Sequence, residues 1–185
     1  MSYRLRVARL EDEPALRELI GRSIRRLGAG DYSSAQIEAA LTGAFGVDTS
    51  LIRDGTYFVI ESAHGQPVAC GGWSQRRTLF GSDTRAERDE SRLDPNSDAA
   101  RVRAFFVDPE HVRRGLGRAI LERSEAEARA AGFSRLELMA TLPGVRLYQQ
   151  CGYQPGAAIE HPLGAGLTIR FVPMTKHIGA AEPLP

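Results

Sequence analysis

Residues 102–121 read VRAFFVDPEHVRRGLGRAIL. Val102 to Val107 is a largely apolar run of strand length, and Asp108-Pro109 ends it, since proline offers no N–H to a ladder. From Gly115 the apolar spacing changes. Leu116, Ala119 and Ile120 share one face of a helix that runs to about Ala131, with Gly132 as its stop. A helix start leaves several N–H groups without partners and carries partial positive charge. Gly115 and Gly117 strip side chains from that corner, and Arg113, Arg114 and Arg118 add full charges, so an anion such as a diphosphate suits it. The plainer reading of two glycines is a tight strand-to-helix turn. Two nucleotide motifs are excluded: the dinucleotide fingerprint needs glycine where Ile120 stands, and no Gly-Lys-Ser/Thr closes the turn.

Downstream, FSRLELMA (133–140) predicts a strand parallel to 102–107, because a helical crossover joins them; the glycine corner then lies at the carboxyl edge of the sheet. A short helix, Val145 to Cys151, follows Pro143-Gly144. Upstream, TYFVIES (56–62) and PVACGGWS (67–74) form an antiparallel hairpin across AHGQ, and Gly71-Gly72 marks a bulge or a close approach. Tyr3 to Leu10 alternates as a strand, with Tyr3, Leu5 and Val7 inward and Arg4 and Arg6 outward. A helix then begins at Asp12 with the stripe Leu16, Leu19, Ile20, Ile24 and Leu27 and stops at Gly28; a weaker one covers Ser34 to Thr42. Glu125 and Arg129 sit one turn apart on the wet side of the 115–131 helix. Ala157–Glu160 and Leu167–Met174 close the chain as strands. Residues 78–100 mix charges without apolar period, as a solvated loop or a lid does. The order predicts a mixed α/β (α+β) fold: a central, mostly antiparallel sheet with one parallel pair, and helices on both faces. One domain spans 1–178, with 78–100 as a loop insertion and 179–185 as a flexible tail.

The net charge of +1 argues against nucleic acid as a partner, so any positive site must be local. Cys70 and Cys151 lack the spacing of a zinc clip and read as two reduced thiols. The start, MSYRLRVARL, has no apolar signal core and no run approaches a membrane span, which predicts a cytoplasmic protein with no membrane partner.

The stretch 105–121, FFVDPEHVRRGLGRAIL, resembles motif A of the GCN5-related N-acetyltransferase (GNAT) superfamily. RLELMATLPGVRLYQQCGY (135–153) resembles the strand, short helix and Leu-Tyr…Gly-Tyr ending that follow it there, and the element order from Tyr3 to Met174 agrees. The resemblance implies an acyltransferase that moves an acetyl group from acetyl-coenzyme A to a small-molecule or peptide amine, without a metal. It places the pyrophosphate on Val112, Arg113, Arg114, Gly115, Leu116, Gly117 and Arg118, and the pantetheine arm beside the backbone of Phe105, Phe106 and Val107. Thr141 stands where many members carry asparagine, and Val112 where the consensus has Gln or Arg. Tyr148 falls on the tyrosine that protonates the departing thiolate. A phenol of pKa about 10 can serve a thiol of about 8.5 when held close.

No general base is legible. Glu61 and Glu137 read as salt-bridged strand carboxylates, and His64, His111, His161 and His177 lack partner spacing. Tyr32, Trp73 and Arg77 are candidates for the substrate side. The alternative is a non-catalytic acyl-coenzyme A sensor of the same fold. Exposed sheet edges would allow a homodimer.

Overall fold

The computed structural model of the chain describes residues 2–84 and 89–179. Four residues of the insertion, 85–88, and all but the first of the tail lie outside the described residues. Strand β1 (Arg4–Val7) leads through a 3-10 turn at Leu10–Asp12 into helix α1 (Glu13–Leu27). Leu16, Leu19, Ile20 and Ile24 are buried as their spacing predicts, with Pro14 in the first turn. Asp12 occupies the cap position, yet its carboxylate is spent elsewhere. It accepts from both Nη atoms of Arg6 (2.7 and 2.8 Å) and from the Arg9 N–H. Arg6, expected on the wet face, is thus drawn in, while Val7 is exposed at the sheet edge.

Helix α2 (Ser34–Ala40) opens on a reciprocal capping box between Ser33 and Gln36. A five-residue helix, α3 (Thr49–Arg53), was not legible from apolar spacing; Asp48 caps it by accepting from Ser50 N–H. Strands β2 (Tyr57–Glu61) and β3 (Pro67–Ser74) pair antiparallel. Then come β4 (Ala100–Val107), α4 (Leu116–Ala130), β5 (Arg135–Thr141), α5 (Val145–Gln150), the two-residue β6 (Gln154–Pro155), β7 (Ile159–Gly164) and β8 (Leu167–His177). The sheet order is β1-β2-β3-β4-β5-β8-β6, with β7 also on β8. β4 and β5 form the parallel pair, and every other described pairing is antiparallel.

Each face of the sheet has its own core. Alternate residues of β2 point to opposite sides: Phe58 and Ile60 pack with α4 and α5, and Tyr57 and Val59 with the layer of α1 to α3. Glu125 corrects the sequence reading. It is buried on α4, where Lys176 Nζ of β8 reaches it at 2.7 Å, and Arg129 donates instead to the carbonyl of Ile178. The insertion is anchored rather than merely solvated. Its base pairs back on itself through Thr78 N–H to Asp89 O, Arg77 N–H to Ser91 O and Leu93 N–H to Gln75 O. Both cysteines are free, Cys70 buried and Cys151 half-buried. No helix among the described residues is long and apolar enough to cross a membrane.

Gly71 and Gly72 are both a bulge and a close approach. The β3–β4 register slips between Cys70 and Gly72, and a Cβ on Gly72 would stand 2.2 Å from the Thr56 carbonyl oxygen. Backbone cannot yield there as a side chain can. Gly72→Ala is expected to destabilise the protein by about 3 kcal/mol in a urea titration. Gly30→Ala, where a Cβ meets nothing within 4 Å, should be neutral or stabilising by under about 1 kcal/mol.

Candidate active site

The glycine corner is built by two consecutive reversals. Asp108 closes β4: its carboxylate accepts from Glu110 N–H (3.0 Å) and from Arg22 of α1 (3.0 Å), which sets the 3-10 turn Pro109–His111. Val112 is extended, Arg113 turns left-handed (φ +59°), and Gly115 does so again (φ +77°) as the residue before α4. No side chain caps this helix. A Cβ on Gly115 would meet nothing within 4 Å, so the corner is open and glycine serves the backbone conformation. Gly117 also has a packing role. It is buried, with Leu147 Cδ2 3.0 Å from where its Cβ would lie, and lets α4 pack on α5. Leu116 points into the core, Val112 is half-buried, and Arg113, Arg114 and Arg118 are exposed around the rim.

Behind the corner, β4 and β5 share only two rungs, Ala100 with Leu136 and Arg101 with Glu137, and then part. On its other side β4 carries an extra residue opposite Gly71; Ala104 takes the left-handed region (φ +55°). The buried Tyr57 hydroxyl donates to the Ala104 carbonyl at 3.0 Å and holds this bulge. Beneath it, burial pushes the Cys70 thiol up to about 12, only partly opposed by its contacts with Tyr57 and the Phe106 backbone. Phe105 and Phe106 pack by their rings, as the plain reading has it. Phe105 lies over Gly71 and edge-on to Tyr148 (6.2 Å), whereas Phe106 faces Phe45 in the α1–α3 layer. Val107 is half-buried beside Gly117.

Tyr148 stands on α5 with its ring between Phe105 and Tyr153 (5.8 Å). Gly144 makes room for it. A Cβ there would be 3.3 Å from both Tyr148 Cε2 and Thr141 Oγ1. Burial raises the Tyr148 phenol well above its ordinary range. Its hydroxyl has no hydrogen-bond partner among the described residues, and the side chain lines a cavity of about 60 Å³ between the parted strands. Thr141, Met139, Phe106 and Phe171 line the same cavity.

One buried ion pair lies under that cavity, and the sequence analysis overlooked it. Arg103 of β4 meets Asp48 at 2.6 Å, both side chains essentially without solvent, and also donates to Gly81 O at 2.9 Å. A charged residue in the middle of VRAFFV was the available signal. The two contacts fix the 43–48 turn and the insertion against the sheet. The insertion adds Ser82 N–H to Gly43 O, Asp83 N–H to Val47 O, and the Asp83 carboxylate to Thr49 N–H.

Most of the remaining candidates are occupied. Arg6 holds Glu61, and Arg101 pairs with Glu137. His111 faces Asp108 and Tyr3, His64 and His177 are exposed, and His161 packs edge-on to Phe80 at 4.8 Å. Trp73 is buried and donates to Glu127, and Arg77 reaches Asp98. Tyr32 accepts from Leu142 N–H and donates to Arg170 O, tying α5's lead-in to β8; burial pushes its phenol up to about 12. No group of three or more metal-ligating side chains is present among the described residues.

Residues 23–153 match the acetyltransferase (GNAT) family model. Among solved structures, the GCN5-related N-acetyltransferase from Rhodopseudomonas palustris is 20% identical, with 96% of each chain covered and a TM-score of 0.70. The PaiA N-acetyltransferase from Thermoplasma acidophilum, in complex with coenzyme A, is 16% identical over 96% of this chain and 99% of that one, TM-score 0.64. A GNAT family acetyltransferase from Brucella melitensis, in complex with acetyl-CoA, is 14% identical over 98% and 92%, TM-score 0.56. At these identities the likeness is one of fold. No curated protein sequence matches the chain.

Removing one member of a buried pair strands the other charge. Asp48→Ala is therefore expected to cost about 3–5 kcal/mol, read from the midpoint of a denaturant titration.

Proposed function

The chain belongs to the GNAT family of acetyltransferases, and from that premise we propose that it transfers the acetyl group of acetyl-coenzyme A to a primary amine by direct attack, with Tyr148 as general acid. The observation that carries the reading is the combination of three features around the β4–α4 turn. The turn after β4 ends on an open, uncapped helix start, β4 and β5 part beyond two rungs, and a buried phenol with an unengaged hydroxyl lines the cavity between them.

The residues fit a nucleotide thioester. The left-handed corner leaves the first N–H groups of α4 facing outward, and a Cβ-free Gly115 puts no atom in front of them. The backbone of Val112 to Arg118 would hold the diphosphate, with Arg113, Arg114 and Arg118 adding charge from the rim. Val112 in place of a polar residue matters little where main-chain donors do the binding. The edge of β4 at Phe105 to Val107 would take the extended arm as a neighbouring strand, and Thr141 Oγ1 would meet it from β5. Bound acetyl-coenzyme A supplies an activated acyl carbon with a thiolate leaving group. Transfer forms one C–N bond and breaks one C–S bond, and Tyr148 Oη gives its proton to the departing sulfur. Glu61 and Glu137 are each held by an arginine, so the amine's proton is assigned to water rather than to either carboxylate.

Calorimetric titration with acetyl-coenzyme A, followed by thiol release over a panel of amines, tests the reading. Saturable binding with release supports it; saturable binding without release for any amine would instead make the protein an acyl-coenzyme A sensor. Tyr148→Phe should lower kcat about a hundredfold or more while acetyl-coenzyme A binding is retained. Unchanged turnover would remove the role.

The pH profile has a definite sign. An acceptor ammonium of pKa about 10 must lose its proton first, so kcat/KM should climb from pH 7 to 9. Because burial raises the phenol, Tyr148 remains the protonated donor throughout that range and adds no descending limb. A loss of rate between pH 8 and 9 would contradict this assignment.

A further inference from the structure

The side chains around the cavity between the parted strands are mostly apolar, with Thr141, Tyr148, Arg103 and backbone polar groups among them. Phe45 precedes α3, Phe80 comes from the insertion, Phe106 from β4, Met139 from β5 and Phe171 from β8. The rings support one another: Phe45 meets Phe106 and Phe171 edge-on at 6.2 and 6.0 Å, and Phe80 meets Phe171 at 5.2 Å. Arg103 is the one charged residue lining the cavity among the described residues, and Asp48 already neutralises it. Farther out, the Glu160 carboxylate is taken by Arg170 (2.7 Å) and Thr168 (3.0 Å).

An acceptor with a second ammonium or a carboxylate would carry that charge into a space without a matching partner, at a heavy desolvation cost. An apolar substituent would meet ring faces and edges instead. The volume is small, about 60 Å³, and Phe80, like Phe45, is a wall contributed by a segment outside the sheet and helices.

We propose that the part of this cavity walled by Phe45, Phe80 and Phe171 is the acceptor chamber, the Phe105 and Thr141 side being left to the coenzyme arm, and that it selects compact monoamines with an uncharged, apolar substituent, Phe80 setting the size limit. The inference rests on the acetyltransfer reading for the direction in which the nitrogen faces, toward Tyr148. Occupancy of the chamber can nonetheless be measured without catalysis.

Isobutylamine and benzylamine are compared with 1,5-diaminopentane and β-alanine in two readouts. One is kcat/KM with acetyl-coenzyme A; the other is binding by ligand-observed NMR with coenzyme A present. The apolar monoamines should exceed the charged acceptors by at least about tenfold in both. In Phe80→Ala the preference should move from isobutylamine toward benzylamine, and Phe80→Leu, a milder change, should move it part of the way. Binding of the monoamines without transfer would uphold the chamber and remove the acetyltransfer reading. Preference for the diamine or the amino acid, no binding of either monoamine, or an unchanged size order in both variants would overturn the inference.

Discussion

Two parallel strands that share a pair of rungs and then separate are the constraint on which the rest of the molecule depends. Past Arg101 and Glu137, β4 and β5 no longer satisfy one another, although each remains bound to an antiparallel neighbour on its far side. A sheet normally closes such a gap, because facing backbone groups gain hydrogen bonds by doing so. Here it is held open from both sides. β8 grips the full length of β5, and on β4 the extra residue at Ala104 bends the strand away. The α4 corner, Tyr148 and the aromatic cavity all take their positions from that separation.

Keeping the bend requires local interactions that resist its collapse. Tyr57 fastens the Ala104 carbonyl, and Arg103, one residue earlier, is drawn into an ion pair with no access to water. Such a pair adds little net stability relative to a well-packed apolar substitute. Its value lies in geometry: Arg103 Nη2 meets Asp48 and Gly81 O together, so one guanidinium registers two loops against the same strand. The walls of the cavity and the bend in the strand are therefore fixed by adjacent residues.

Much of this was legible in the sequence. Period changes located the long helices, the hairpin and the crossover strand, and the register of RLYQQCGY put Tyr148 at the cleft. The space beside Gly115 is open, as the bare turn suggested, while the packing of Gly117 against Leu147 was not legible from the spacing of two glycines. What escaped was the part of the structure set by long-range pairing. The separation of β4 from β5 has no local signature, because it depends on what β3 and β8 do. α3 is too short for periodicity, and β6 is two residues long. Glu125 was placed outward by helical spacing alone, since nothing in its neighbourhood of the chain announces Lys176 fifty-one residues away.

The state of the two sulfur atoms has a practical consequence. Cys70 is sealed beneath the bend with its thiol pushed up to about 12, and burial raises Cys151 as well. A thiol attacks an aromatic disulfide reagent as its anion, and neither side chain yields much anion near neutral pH. In the folded protein, Cys70 will add almost nothing to the colour such a reagent develops, and any polypeptide background will come from the half-buried Cys151. A rising blank would then report unfolding.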